Sequence, residues 1–128
     1  MRILLDSNAL IWLATDPKRF SRRASSELAD PRNALFLSSV VCAELAIRAR
    51  LKRFEFSVAI GAFVAEATER FGLAWLPFTV EHAGTMAALP VHHGDPFDHM
   101  LIAQAISERL TIVTSDGAFR QYPVEVLW

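Results

Sequence analysis

Short apolar runs alternate along this chain with longer segments of helical pattern. Such runs occur at residues 2–6, 35–38, 73–76, 111–114 and 124–127. Their apolar residues follow one another without alternation, which is typical of strands covered on both faces. The intervening segments are long enough for crossover helices, which connect parallel strands. The sequence therefore predicts a three-layer α/β/α domain with a central, mainly parallel sheet of four to five strands.

Polar residues ahead of the periodic segments predict where the helices begin. Gly72 follows a helical segment at the position where a left-handed cap is expected. The predicted N-terminal caps are Ser21, Ser38 or Ser39, Ser57 and Thr79.

Length and composition limit the function classes. The 128 residues predict a single domain spanning 1–128. With 13 Lys and Arg against 14 Asp and Glu the chain is not a polycation, so any nucleic-acid contact must come from a local basic patch. Cys42 is the sole cysteine, which excludes an intramolecular disulfide and a cysteine zinc cluster. Asp6 interrupts the first apolar run, and no run approaches membrane-spanning length; we expect a soluble, cytoplasmic protein.

Four acidic residues occupy positions that differ from those of the other acids. Asp6 ends the first run, Asp116 follows the fourth, and Asp98 opens the helix that precedes the fourth. Glu44 lies within an apolar helical segment. Because the carboxyl ends of parallel strands meet at one edge of a sheet, we expect Asp6 and Asp116 to lie near each other.

Three of these acids also have a purely structural interpretation. Asp98 is suitable as a helix cap or as a first-turn acid that favours the helix dipole, Asp6 as a helix cap, and Asp116 with Gly117 as part of a turn. Several carboxylates at one edge would repel each other unless a cation lay among them. An all-oxygen ligand set indicates Mg²⁺ or Mn²⁺ rather than zinc.

Four segments carry a resemblance to a known family. They are ILLDSNAL (3–10), SSVVCAELAI (38–47), DPFDHMLIAQA (95–105) and LTIVTSD (110–116). In order and spacing they resemble the motifs of the PIN domain, and within it the VapC-type ribonuclease toxins of type II toxin–antitoxin pairs. The third segment is the most specific, and the resemblance covers essentially the whole chain.

The resemblance implies that Asp6, Glu44, Asp98 and Asp116 form a metal-binding, catalytic acidic quartet. It implies an Mg²⁺-dependent or Mn²⁺-dependent endoribonuclease that hydrolyses RNA phosphodiester bonds, a VapB-like antitoxin as partner, and a homodimer.

Further residues have subsidiary predicted roles. Asn8 is expected to position Asp6, and Thr114 and Ser115 to hydrogen-bond carboxylates or a metal-bound water. Two positions depart from the subgroup's pattern, since His99 and Gly94 stand where arginine is common. His99 is interpreted as a helix-surface residue, with a general-base role as the alternative. His92 and His93 are adjacent and lack the spacing of a zinc pair.

A basic cluster follows Glu44 and comprises Arg48, Arg50, Lys52 and Arg53. It is interpreted as a solvated helix end, as a phosphate track for RNA, or as a docking surface for an acidic antitoxin tail. Aromatic residues are interpreted as core or interface residues, with the helices around Trp12 and Phe63 as candidate interface surface.

Two rival enzyme classes are excluded by single positions. A phosphotransferase of the haloacid dehalogenase type needs a second Asp where this chain has Asn8. A receiver domain needs a lysine near its last strands, but the lysines here are Lys18 and Lys52. A catalytically inactive PIN-like module that acts only in protein or RNA binding remains an alternative.

Overall fold

A five-stranded parallel sheet forms the centre of the computed structural model, which describes residues 1–53 and 55–128. Its strands are β1 (Arg2–Leu5), β2 (Ala34–Ser38), β3 (Ala74–Leu76), β4 (Thr111–Val113) and β5 (Glu125–Leu127). The spatial order is β3-β2-β1-β4-β5, and every neighbouring pair is parallel. The chain thus leaves β1 in one direction and later returns to its other side, a reversal that opens a crevice at the carboxyl ends of β1 and β4.

Six α-helices flank this sheet in the described part of the chain. They are α1 (Ser7–Thr15), α2 (Arg22–Ala29), α3 (Ser39–Arg50), α4 (Ile60–Phe71), α5 (Val80–Ala87) and α6 (Pro96–Glu108). Two short 3-10 helices, Pro17–Arg19 and Gly117–Gln121, complete the connections.

Burial of the strands confirms the layered architecture. Ile3, Leu4 and Leu5 are all fully buried, although successive side chains of a strand point to opposite faces. Both faces of β1 are therefore covered, as the unbroken apolar runs predict. Ile112 and Val113 of the neighbouring strand are buried in the same way.

Most helix boundaries agree with the sequence, and α4 is the exception. Ser21, Ser38 and Thr79 cap their helices as predicted. The prediction that Ser57 opens α4 is wrong, because the chain bends at Ser57 and the helix begins only at Ile60. Phe56 packs on Phe63 with ring centroids 5.0 Å apart, and this contact holds the segment before the helix against its first turns.

Buried polar groups join β2, α5 and α6, and the sequence did not predict them. Ser38 Oγ donates a hydrogen bond to Gln104, and the fully buried His82 has Nε2 2.9 Å from Glu108 Oε1. The Thr79 amide donates to His82 Nδ1 at 3.0 Å, so Nε2 carries the proton and donates to Glu108. Glu108 is therefore paired, although its position suggests an exposed helix residue. Among the described residues, no helix has the length and hydrophobicity to cross a membrane.

Two glycines of α4 should respond oppositely to the same substitution. Gly72 caps the helix in the left-handed region with φ 61°, whereas Gly61 lies inside the helix and has open space where a Cβ would be. We expect Gly72→Ala to lower the free energy of unfolding by about 1 kcal/mol and Gly61→Ala to raise it by up to about 1 kcal/mol. Urea denaturation measures both; changes of the same sign would contradict this assignment of the helix end.

Candidate active site

The four predicted acids come from four different elements near the carboxyl edge of the sheet. Asp6 follows β1, and its amide donates to Val113 O of β4 at 3.4 Å. Asp116 lies beyond β4, Asp98 is in the first turn of α6, and Glu44 is in α3. Asp6 interacts electrostatically with both Glu44 and Asp116, and Asp98 interacts with Asp116. The fold thus links the charges of all four residues.

Asp6 is both a helix cap and a member of this cluster. Its Oδ1 accepts a hydrogen bond of 2.7 Å from the Ala9 amide at the start of α1, and the residue is only 8% exposed. Burial raises the pKa of Asp6 to about 6, and the charges of Glu44 and Asp116 add to this rise. Hydrogen bonds from Thr114 and Ala9 oppose it without cancelling it.

Glu44 is held by Ser7 and Arg48. Ser7 Oγ donates to Glu44 Oε2 at 2.8 Å, and Arg48 Nη2 lies 3.0 Å from the same oxygen, one helical turn away. Arg48 Nη1 also donates to Asn8 Oδ1 at 3.1 Å. Asn8 therefore contacts Arg48, while Thr114 and Ala9 hold the Asp6 carboxylate that Asn8 was predicted to position. The role of Ser7 was missed, although its place beside Asp6 was visible in the sequence.

Asp98 does not cap α6. Asp95 caps α6, and its Oδ1 accepts from the amides of Phe97 and Asp98. Of the two structural interpretations of Asp98, the helix cap is therefore wrong, whereas its place in the first turn of α6 is confirmed. Its Oδ2 lies 3.0 Å from His93 Nε2. Burial raises the pKa of Asp98 to about 6, and the charges of Asp95 and Asp116 contribute, whereas the hydrogen bond from His93 lowers it.

Asp116 is exposed, and its charge interacts with those of Asp6 and Asp98. It caps the 3-10 helix Gly117–Gln121, accepting from the Ala118 amide at 2.9 Å, so the turn interpretation also holds. Its own amide donates to Thr114 Oγ1 at 3.0 Å. Thr114 thereby contacts Asp6 and Asp116, whereas Ser115 is exposed.

The histidines near Asp98 surround Tyr122, a residue that no sequence pattern singled out. Tyr122 is 4% exposed, and its hydroxyl lies 2.9 Å from His93 Nδ1 and 3.1 Å from His99 Nε2. His99 is thus partly buried and hydrogen-bonded, which corrects its interpretation as a helix-surface residue.

The donor chemistry of the acids fits a hard divalent cation. The donors are carboxylate oxygens, and their burial and mutual repulsion favour binding of positive charge. Within residues 1–53 and 55–128, however, no three acidic, histidine or cysteine side chains stand as a ready ligand set. Arg48 already neutralises Glu44. The cluster therefore has the atoms and the charge that suit such a cation, although its side chains are not arranged as a ligand set.

A cleft of about 340 Å³ lies beside Glu44. Its lining combines the cations Arg48 and Arg53 with apolar side chains, namely Ile47, Leu51 and Phe97. Arg50 and Lys52 are exposed at the end of α3. Part of the predicted basic cluster thus borders Glu44, and Asp95 lines the same cleft.

A larger, mainly apolar groove of about 550 Å³ includes residues of α1 and α4. Phe63 and Phe56 line it. Trp12 is half-buried and packs edge-on against Phe20 and Trp128. Of the two aromatics predicted to mark an interface, Phe63 therefore lines an open groove, whereas Trp12 belongs to an aromatic cluster.

Known proteins share this sequence pattern and fold. The chain is 28% identical over 121 residues to Ribonuclease VapC22 of Mycobacterium tuberculosis, a match that spans 94% of this chain and 91% of that relative. Its fold resembles a chain of VapBC2 from Rickettsia felis bound to a DNA fragment from their promoter, with a TM-score of 0.75, 19% identity and coverage of 100% and 99%. A chain of DNA-bound VapBC from Salmonella typhimurium gives 0.71, 19% identity and coverage of 99% and 97%.

The model of the PIN domain matches residues 3–125, nearly the whole sequence. This match confirms the resemblance carried by the four motif segments. The chain belongs to the PIN domain family.

Proposed function

We propose that this protein is a metal-dependent endoribonuclease and the toxin of a VapBC-like type II toxin–antitoxin pair. The observation that carries the proposal is the electrostatic linkage of Asp6, Glu44, Asp98 and Asp116 at the sheet edge of a PIN domain. The likeness to Ribonuclease VapC22 supports RNA as the substrate.

The proposed mechanism divides the work between the acids and their neighbours. Asp6, Asp98 and Asp116, with Glu44, would hold Mg²⁺ or Mn²⁺. Such an ion, when bound, activates water and neutralises the charge that develops on the phosphoryl group. Thr114 fixes Asp6. Ser7 and Arg48 orient Glu44, and Arg48 places a positive charge beside the cleft for an RNA phosphate.

One observation favours the alternative of an inactive, binding-only PIN module. Arg48 is paired with Glu44, and an acid engaged in this way is less available to a metal. The proposed enzyme should lose both metal binding and RNA cleavage when an acid is removed. A binding-only module has no RNA cleavage to lose.

Asp98→Asn should abolish RNA cleavage, because it removes a proposed ligand charge while preserving the side chain's shape. Without metal the variant should be as stable as the parent or more so, since it also removes repulsion. We expect Mg²⁺ to raise its melting temperature less than that of the parent. RNA cleavage and thermal melts, each with Mg²⁺ and with EDTA, measure these effects.

Asp30→Asn is the matched control, because Asp30 lies in the turn after α2 and pairs with Arg32 rather than with any of the four acids. It should cleave RNA and respond to Mg²⁺ as the parent does. Full activity in excess EDTA, or an active Asp98→Asn protein with the parental Mg²⁺ response, would exclude the metal mechanism.

Stability of the metal-free protein should depend on the protonation of Asp6. Its folded pKa of about 6 exceeds the ordinary 3.8, so the folded state binds the proton more tightly. The stability that this proton contributes to the folded state is full below pH 4 and is lost as the pH rises through 6. From pH 5 to pH 7 the parent should therefore lose about 1 kcal/mol of unfolding free energy relative to Asp6→Asn.

Urea denaturation in EDTA at several pH values measures that difference. Asn caps a helix nearly as well as Asp, so the Ala9 hydrogen bond is largely preserved in the variant. A pH-independent difference would contradict the buried, repelled state of Asp6.

We also propose that the exposed basic residues after Glu44 contact the RNA backbone. Arg53 lines the cleft beside Glu44, and Arg50 is exposed nearby. A VapB-like antitoxin is the proposed partner, and its binding would block this cleft. The proposed assembly is a homodimer, and the proposed location is the cytoplasm. The names of the VapBC structures support the partner.

Reversing both charges in Arg50→Glu/Arg53→Glu should reduce RNA cleavage by about tenfold at low salt and flatten its salt dependence. Arg22→Glu/Arg23→Glu makes the same change on exposed positions of α2 and is the control. Cleavage rates between 50 and 200 mM salt, about the range over which phosphate contacts are screened, test this. Parental cleavage with weakened antitoxin binding would instead assign the patch to the partner.

A further inference from the structure

Three segments of the chain meet at the Tyr122 hydroxyl. His92 and His93 precede α6, His99 lies in its second turn, and Tyr122 follows the 3-10 helix after β4. The hydroxyl lies 3.1 Å from the His92 backbone nitrogen, 2.9 Å from His93 Nδ1 and 3.1 Å from His99 Nε2. His93 Nε2 is in turn 3.0 Å from Asp98 Oδ2.

One consistent pattern of donors satisfies all four contacts. The ionised Asp98 carboxylate only accepts, so His93 Nε2 carries a proton and donates it. In the neutral imidazole Nδ1 then accepts, and Tyr122 donates its single proton there. The Tyr122 oxygen accepts from the His92 amide and from His99 Nε2. Every hydrogen bond in the chain from His99 to Asp98 therefore points toward the carboxylate.

Ring packing holds His93 in this orientation. Its ring centroid is 4.8 Å from that of His99 at an interplanar angle of 87°, and 5.4 Å from that of Tyr122 at 66°. The side chain is 18% exposed. Edge-on contacts on two sides oppose rotation of the imidazole, so its Nε2–H stays directed at Asp98.

We propose that His93 is a positioning residue for Asp98 and that Tyr122 holds His93 in place. Asp95 supplies the cap of α6, so the Asp98 carboxylate is oriented by His93 through Oδ2, which leaves Oδ1 for a divalent cation. Both nitrogens of His93 are occupied, so in this arrangement it neither ligates a metal nor takes a proton from water. This role rests on the proposed function of the acid cluster.

The test measures Mg²⁺ affinity by calorimetry without RNA, together with melting temperature and RNA cleavage. His93→Ala should weaken Mg²⁺ binding by about 10–100-fold, as is usual when a residue that orients a metal ligand is lost. His93→Gln keeps an N–H donor near the position of Nε2 and should restore most of that affinity. Val91→Ala truncates an exposed side chain of the same loop outside the Tyr122 network, and should bind Mg²⁺ like the parent.

Tyr122→Phe deletes a single oxygen and carries the test if His93→Ala does not fold. We expect about tenfold weaker Mg²⁺ binding, and a changed ¹⁵N signature of the His93 ring because Nδ1 loses its donor. Parental Mg²⁺ affinity in both His93→Ala and Tyr122→Phe, with only the melting temperature lowered, would overturn the positioning role. So would an equal loss in His93→Gln and His93→Ala. A parent that binds no Mg²⁺ would instead refute the proposed function, and the positioning role with it.

Discussion

Burial of Asp6 and Asp98 close to other carboxylates at the carboxyl edge of the sheet is the constraint on which the rest of the site depends. Asp6 is buried at the end of the central strand, where the order of the strands reverses. Its charge interacts with those of Glu44 and Asp116. Burial and like charge both disfavour ionisation, so the pKa of Asp6 and of Asp98 rises to about 6. A cation bound among these groups would remove that penalty, so the proposed metal site would lie where ionised carboxylates cost the most folding free energy.

Neighbouring residues hydrogen-bond to the acids or pair with them. Thr114 hydrogen-bonds Asp6, Arg48 and Ser7 hold Glu44, and His93 holds Asp98. Each of these contacts engages an oxygen of the acid it touches. These contacts neutralise the acids unequally, because Glu44 has the full positive charge of Arg48 beside it. Asp6 and Asp98 are therefore the acids with the most to gain from a bound cation.

The sequence predicted the parallel sheet, most helix boundaries and the family, because unbroken apolar runs, capping residues and motif spacing are local signals. It located Asp6 and Asp116 near one edge through the rule for parallel strands. It did not predict the contacts between distant segments. Tyr122 meets His93 through the return of the chain after β4, and His82 meets Glu108 across two helices. The start of α4 was wrong because a tertiary contact of Phe56 outweighed the capping signal of Ser57.

The most direct test of a metal held by these acids is the anomalous scattering of Mn²⁺ in crystals of the parent protein. The account predicts a peak at coordination distance, about 2.0–2.2 Å, from carboxylate oxygens of Asp6 and Asp98, with Asp116 adjoining. It also predicts that the His93 contact to the second oxygen of Asp98 persists in the metal-bound state. A saturating Mn²⁺ soak that leaves the space between Asp6 and Asp98 empty, or places the ion elsewhere, would contradict the account.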